Sequence, residues 1–298
     1  MKYSSASAFR DALEMRLRKD QTSRVGLSRL RKRVAFERFL ARLQLVAPGA
    51  WYLKGGFALE MRLGSQARTT RDIDLDWATE ESQTVELLIA ATEVEIDDRF
   101  KFDLRRGRID EELLGGGQRW SATAQLAGRE FERIAIDVGF AKPATLEPDE
   151  IASSHLLDFA GIAPVVVPTI AIEQHLAEKL HAYTRTYGSG EPSSRVKDLV
   201  DMAVIARTTS ADACQMFAAA SAIFDDRRTH DLPTSLPEPP DDWRRPWITL
   251  VEDRPAGADL SKGFHAAASL WDPVLTRDPG LGIWDPESQT FERETQHP

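Results

Sequence analysis

The segment at residues 71–77, RDIDLDW, restricts the fold of this chain more than any other stretch. Acids at 72, 74 and 76 alternate strictly with Ile73, Leu75 and Trp77, a period of two that belongs to a β-strand with one apolar and one acidic face. Asp72 and Asp74 therefore project together, and two carboxylates share one small volume. Such crowding is unfavourable unless a cation neutralises it, and an oxygen-only ligand pair favours a hard ion such as Mg²⁺. Asp76 continues the same face near the strand end, where a solvated residue or a cap for the next helix serves equally well, and it is not assigned to the site.

Upstream, WYLK at 51–54 reads as a short strand that ends at Gly55-Gly56, followed by a short helix at 57–63 and a loop at 64–70. Paired glycines at a strand-to-helix transition let backbone N–H groups approach phosphate oxygens. A lone GG also marks an ordinary tight turn; the DxD pair sixteen residues later is what gives it meaning as a triphosphate cradle. A third acid, Asp137, interrupts the apolar strand FERIAIDVGF at 131–140. If that strand lies beside the DxD strand, Asp137 joins the site, either as a ligand of the metal that activates an acceptor hydroxyl or as its base, in a two-metal displacement.

Around this unit the patterning predicts an α+β chain. Phe9, Leu13 and Leu17 recur at helical spacing, and a second, basic helix runs from 27 to 45, so residues 1–48 are expected to be two helices packed on the core. Residues 49–150 form a mixed-sheet domain, with a helix at 80–93 and strands at 100–105, 119–126 and 131–140; the last two flank a hairpin turn at Ala127-Gly128-Arg129. Residues 151–298 are expected to be mostly helical: Ile172, Leu176, Leu180 and Tyr183 share one helix face, Val196, Leu199, Val200, Ala203 and Val204 another, and 260–271 forms a last helix. Prolines at 233, 237, 239, 240, 246 and 255 predict a long loop at 225–259.

Charge is unevenly distributed. The chain carries −9 overall, yet residues 10–42 hold eleven bases against four acids, +7, which leaves −16 for the rest. A basic helical face on an acidic body can capture phosphate backbones, and a solvated helix face is the plain alternative. A single cysteine, Cys214, rules out an internal disulfide and a Cys-based zinc cluster, and is expected as a small buried apolar residue. No apolar run approaches the roughly 20 residues of a membrane span and the first residues lack a secretory pattern, so a cytoplasmic protein is expected.

Four segments in order, LKGGFALEMRLGSQARTTRDIDLDW, LAGREFERIAIDVGF, IAIEQHLAEKLHAYTR and SRVKDLVDM, resemble the motifs of the AbiEii/AbiGii-type nucleotidyltransferase toxins, a branch of the DNA polymerase beta-like superfamily belonging to type IV toxin–antitoxin systems. The resemblance implies a polymerase-beta-like mixed sheet followed by a helical domain. By that likeness Gly55 and Gly56 hold the triphosphate of an NTP, Asp72 and Asp74 bind two Mg²⁺ ions, Lys179 contacts phosphates, and Asp198 or Asp201 completes the pocket. Asp198 and Asp201 also share a helix face with Arg195 and Lys197 nearby, so intrahelical ion pairing is an equal reading. Most of the superfamily has Gly-Ser at the phosphate turn, whereas here Phe57 follows Gly-Gly; Arg68, Thr69, Thr70 and Arg71 are the nearest replacement donors. The implied activity is transfer of a nucleoside monophosphate to the 3′ end of tRNA, which blocks translation, with a cognate antitoxin encoded nearby. A protein or small-molecule hydroxyl as acceptor, and a non-catalytic nucleic-acid-binding regulator with a vestigial pocket, are the competing readings.

Overall fold

A computed structural model describes residues 1–21, 26–109, 117–140, 145–186, 195–251 and 259–293. It divides into two compact units, the first made of residues 1–65, 69–144 and 148–170, the second of 66–68, 145–147 and 171–298.

The first unit is α+β. Helices α1 (Ala6–Asp20) and α2 (Leu27–Val46) precede β1 (Trp51–Lys54), α3 (Gly55–Leu63), β2 (Asp72–Trp77), α4 (Glu81–Glu93), β3 (Phe100–Ile109), β4 (Gln118–Leu126), β5 (Arg129–Gly139), β6 (Asp149–Ala152) and β7 (Val166–Thr169). The seven strands form one mixed sheet in the order β3-β4-β5-β2-β1-β7-β6. Its middle is the expected DxD strand: β2 runs antiparallel to β1 and parallel to β5, with Asp74 beside Lys54 on one side and Asp137 on the other. Ile73, Leu75 and Trp77 point to the opposite face and are buried, as their alternation requires.

Helix α2 is apolar around most of its circumference. Leu30, Val34, Phe36, Phe39, Leu40 and Leu43 are all buried, and the helix packs against α4, β5 and β7. That burial corrects the reading of the basic stretch as a phosphate-binding face. Arg42 sends Nη1 and Nη2 to the two carboxylate oxygens of Asp98 at 2.8 Å each, and Arg38 approaches the same carboxylate at 3.5 Å. Arg29 pairs with Glu60 at 3.1 Å, Arg31 with Glu14 at 2.5 Å, and Arg33 with Glu37 at 3.1 Å. A guanidinium removed from water needs a carboxylate close by, and these five arginines of α2 are counter-ions of carboxylates in the first unit. Arg24 lies outside the described residues.

The helical expectation for residues after 150 is also corrected at its start. Residues 149–152 and 166–169 are β6 and β7, and they close one side of the sheet, β7 pairing parallel to β1 through Leu53 and Thr169. Pro164 and Pro168 bracket a β-branched run, Val165–Val167 in sequence terms, and Pro168 pairs only with the end strand β6.

The second unit contains α5 (Ile172–Thr184), α6 (Val196–Ala206), α7 (Ala213–Arg227), α8 (Arg244–Val251), α9 (Leu260–Leu275) and a hairpin of β8 (Leu281–Asp285) with β9 (Thr290–Arg293). Within the span expected as loop, Pro240 precedes a 3-10 turn at Asp241–Trp243 that leads into α8, where Pro246 occupies the first helical turn. Trp243 and Trp247 are buried and anchor this segment. Cys214, expected inside, is exposed: α7 turns Ala213, Met216 and Ala220 inward, which puts position 214 outside.

Candidate active site

In the first unit, the chain leaves β1 at Lys54 and enters α3 through Gly55, whose φ is +67°. A side chain is excluded there twice over. The left-handed backbone disfavours one, and an added Cβ would fall 1.9 Å from Oδ2 of Asp74. The Asp74 carboxylate is thus tucked under the glycine turn, which joins the two motifs the sequence separates. Gly56 follows as a buried residue of α3.

Each acid on this face has its own surroundings. Asp72, partly exposed, accepts a hydrogen bond from Thr70 Oγ1 at 2.9 Å. Asp76, for which solvation or capping was expected, is buried; Lys54 Nζ lies 2.7 Å from its Oδ1, and the Tyr52 hydroxyl donates to its Oδ2 at 3.1 Å. The Asp76 carboxylate lies so close to Gly139 that a Cβ there would meet Oδ1 at 2.2 Å, a second glycine required by a carboxylate. Asp137 is buried, and both its oxygens are taken: Arg119 Nε donates to Oδ1 at 2.7 Å and Nη2 to Oδ2 at 2.6 Å. The same Nη2 lies 3.9 Å from Oδ2 of Asp72. Arg71 is exposed at the entry to β2.

Whether these residues suit a divalent ion can be tested on the cradle itself. Two carboxylates two residues apart on one strand face, that of Asp74 directly beneath the Gly55 backbone, provide hard oxygen ligands. Asp72 and Asp74 fit such an ion. Asp137 does not fit as a third ligand, since the Arg119 guanidinium holds both of its oxygens and would repel an ion beside them, and among the described residues no group of three or more His, Cys, Asp or Glu side chains could hold a metal.

The second unit contains a separate charged cluster. Lys179 of α5, bordering the buried stripe, points its Nζ at Oδ1 of Asp198 (3.1 Å) and Oδ2 of Asp201 (2.9 Å), both from α6. Arg68 lies 3.0 Å from Asp201 and Arg195 lies 2.8 Å from Asp198. All three central groups are buried. Burial opposes the charge on Lys179, but Asp201 and Asp198 outweigh it and hold the ammonium above the ordinary lysine value. Burial likewise opposes ionisation of Asp198, and Lys179 and Arg195 overcome it, holding the carboxyl below the ordinary range. The Arg195–Asp198 contact is the intrahelical pair that spacing allowed; the link from both acids to Lys179 crosses helices and is invisible to spacing.

Sequence reasoning missed Arg119, Lys54, Tyr52 and Gly139. Lys54 and Tyr52 carry a signal, since an antiparallel β1–β2 pair puts them opposite Asp74 and Asp76. Arg119 carries none. Leu126 pairs with Arg129 across the turn, yet a register shift near Ala124 and Gln125 sets Arg119, rather than Gln118, opposite Asp137.

A mixed sheet whose central strand sets paired acids beneath a glycine turn defines a nucleotidyltransferase. The chain belongs to the family described as nucleotidyl transferase AbiEii toxin of type IV toxin–antitoxin systems, whose model matches residues 38–271. Among solved structures, the fold is similar to MenT4, a nucleotidyltransferase toxin from Mycobacterium tuberculosis, at a TM-score of 0.59 and 19% identity over 90% of this chain and 89% of that one. JHP933 from Helicobacter pylori is similar at a TM-score of 0.48 and 15% identity over 84% of this chain and 92% of that one. No curated protein matches the chain. Among the described residues no helix is long and apolar enough to cross a membrane.

Proposed function

We propose that this protein transfers a nucleoside monophosphate from an NTP to the 3′-terminal hydroxyl of tRNA in the cytoplasm, releasing pyrophosphate and halting translation until a cognate antitoxin, encoded nearby, counters it. The observation that carries the reading is the Asp74 carboxylate packed directly under the Gly55 turn, with Asp72 beside it on the same strand face. Asp72 and Asp74 would hold a divalent ion such as Mg²⁺, which supplies positive charge to triphosphate oxygens. Backbone N–H groups of Gly55 and Gly56, at the start of α3, orient the phosphates. Arg71, exposed next to Asp72, is a further phosphate donor.

In the second unit, the ammonium of Lys179 is the buried cation of the charged cluster. Lys179 is the group we assign to phosphate contact, and Asp198 and Asp201 hold it charged and in place. Support for RNA from the basic N-terminal stretch is weakened by its internal pairing, which leaves a protein or small-molecule hydroxyl as the reading to test against tRNA.

Purified protein incubated with each α-labelled NTP, total RNA and total protein distinguishes them. Label on tRNA 3′ ends, abolished by Asp72→Asn, is the expected result; label on protein, or transfer unaffected by the substitution, overturns the tRNA reading or the site respectively.

A further inference from the structure

We infer that Arg119 occupies the place of a second metal ion, so that the protein by itself binds one divalent cation, through Asp72 and Asp74, and Asp137 is not a metal ligand. The inference rests on the nucleotidyltransferase reading of the site.

Two observations carry it. Arg119 and Asp137 are directly paired across β4 and β5, and the guanidinium meets the carboxylate through two nearly parallel contacts of 2.7 and 2.6 Å, the geometry in which Arg binds a carboxylate most strongly. Any ion on the buried Asp137 carboxylate would sit against the guanidinium that already holds both of its oxygens, so like charge opposes a second cation there. Second, Nη2 of Arg119 reaches 3.9 Å from Oδ2 of Asp72, so one positive charge already serves both the first and the third acid.

A guanidinium differs from an ion in ways that matter here. It cannot be chelated away or exchanged, and it stays charged at any working pH. Arg119 is accordingly a positioning residue, holding the Asp137 carboxylate in place beside Asp74.

The test is a titration of the purified full chain with Mn²⁺ alone, free Mn²⁺ being counted by electron paramagnetic resonance and folding checked by circular dichroism. One Mn²⁺ per chain is expected for the native protein, none for Asp72→Asn, still one for Asp137→Asn, and two for Arg119→Gln, where the fork is gone and the Asp137 oxygens are released. Two ions bound by the native protein, with one lost in Asp137→Asn, overturn the inference. The Asp137→Asn arm decides the matter even if Arg119→Gln does not fold. Label transfer by a protein that binds two ions would overturn this inference and leave the nucleotidyltransferase reading standing, whereas one bound ion without transfer would do the reverse.

Discussion

Gly55 shows how one residue joins the two halves of the site. Its backbone lies in the left-handed region and its missing side chain is the space filled by the Asp74 carboxylate. Gly55→Ala should therefore act twice. The positive φ costs an L side chain about 1–2 kcal/mol, read as a lower midpoint in urea unfolding. Displacing Asp74 by the order of an ångström should lower nucleotide transfer about 100-fold, since reactive geometry tolerates little error. A variant that unfolds more easily yet transfers at the native rate would show that Asp74 does not work from beneath the turn. Gly-Gly and DxD could each be seen in the sequence. Their contact could not, because it depends on how β1 pairs with β2.

Among elements, the attachment of α1 to the β4–β5 hairpin is the clearest case of polar design. Arg10 Nη1 donates to the carbonyls of Leu126 (2.8 Å) and Arg129 (3.1 Å), and Nη2 to that of Glu130 (2.9 Å), so one guanidinium ties the hairpin turn to the helix. Beside Arg10 on α1, Phe9, Leu13 and Leu17 are buried. A charged donor to a carbonyl contributes about 1.5–3 kcal/mol, and the partial exposure of this site argues for the lower end. Arg10→Ala should thus reduce stability by about 2 kcal/mol with an unchanged denaturant slope. No change in midpoint would mean that the hydrophobic face of α1 alone fixes it. Helices α1, α2, α4, α5 and α6 were legible because their apolar periodicity is long. Strands β6 and β7, helix α8 and the β8–β9 hairpin were not; each is short, and its boundaries depend on partners distant in the chain, as when Trp284 Nε1 donates to the Ala206 carbonyl at 2.8 Å.

For the whole molecule, the stability profile in acid should carry the mark of a buried histidine. His181 is fully buried, and burial first, then the charges of Arg227, His230 and Arg185, push its pKa down to about 3 from the ordinary 6.5. Below pH 6.5 the unfolded chain takes up a proton that the folded chain refuses, so stability is full above that pH and falls as pH drops toward about 3, by up to about 1.4 kcal/mol per pH unit. His230, also depressed by burial, adds to the slope; Glu37, raised by burial, opposes it. Melting temperatures between about pH 7 and pH 4, across most of the window between the unfolded and folded histidine values, should fall less steeply for His181→Asn than for the native protein. Parallel curves would show that His181 is not the group responsible. By itself the sequence determined the acid-bearing strand, its glycine turn, the long helices and the family, because alternation, helical period and motif order are local properties of the chain. Only the tertiary structure decided that the arginines of α2 are internal counter-ions, that Lys179 lies between Asp198 and Asp201, and that Arg119 faces Asp137. Those outcomes depend on which carboxylate is near when water is excluded, and a one-residue shift in strand register is enough to change the partner.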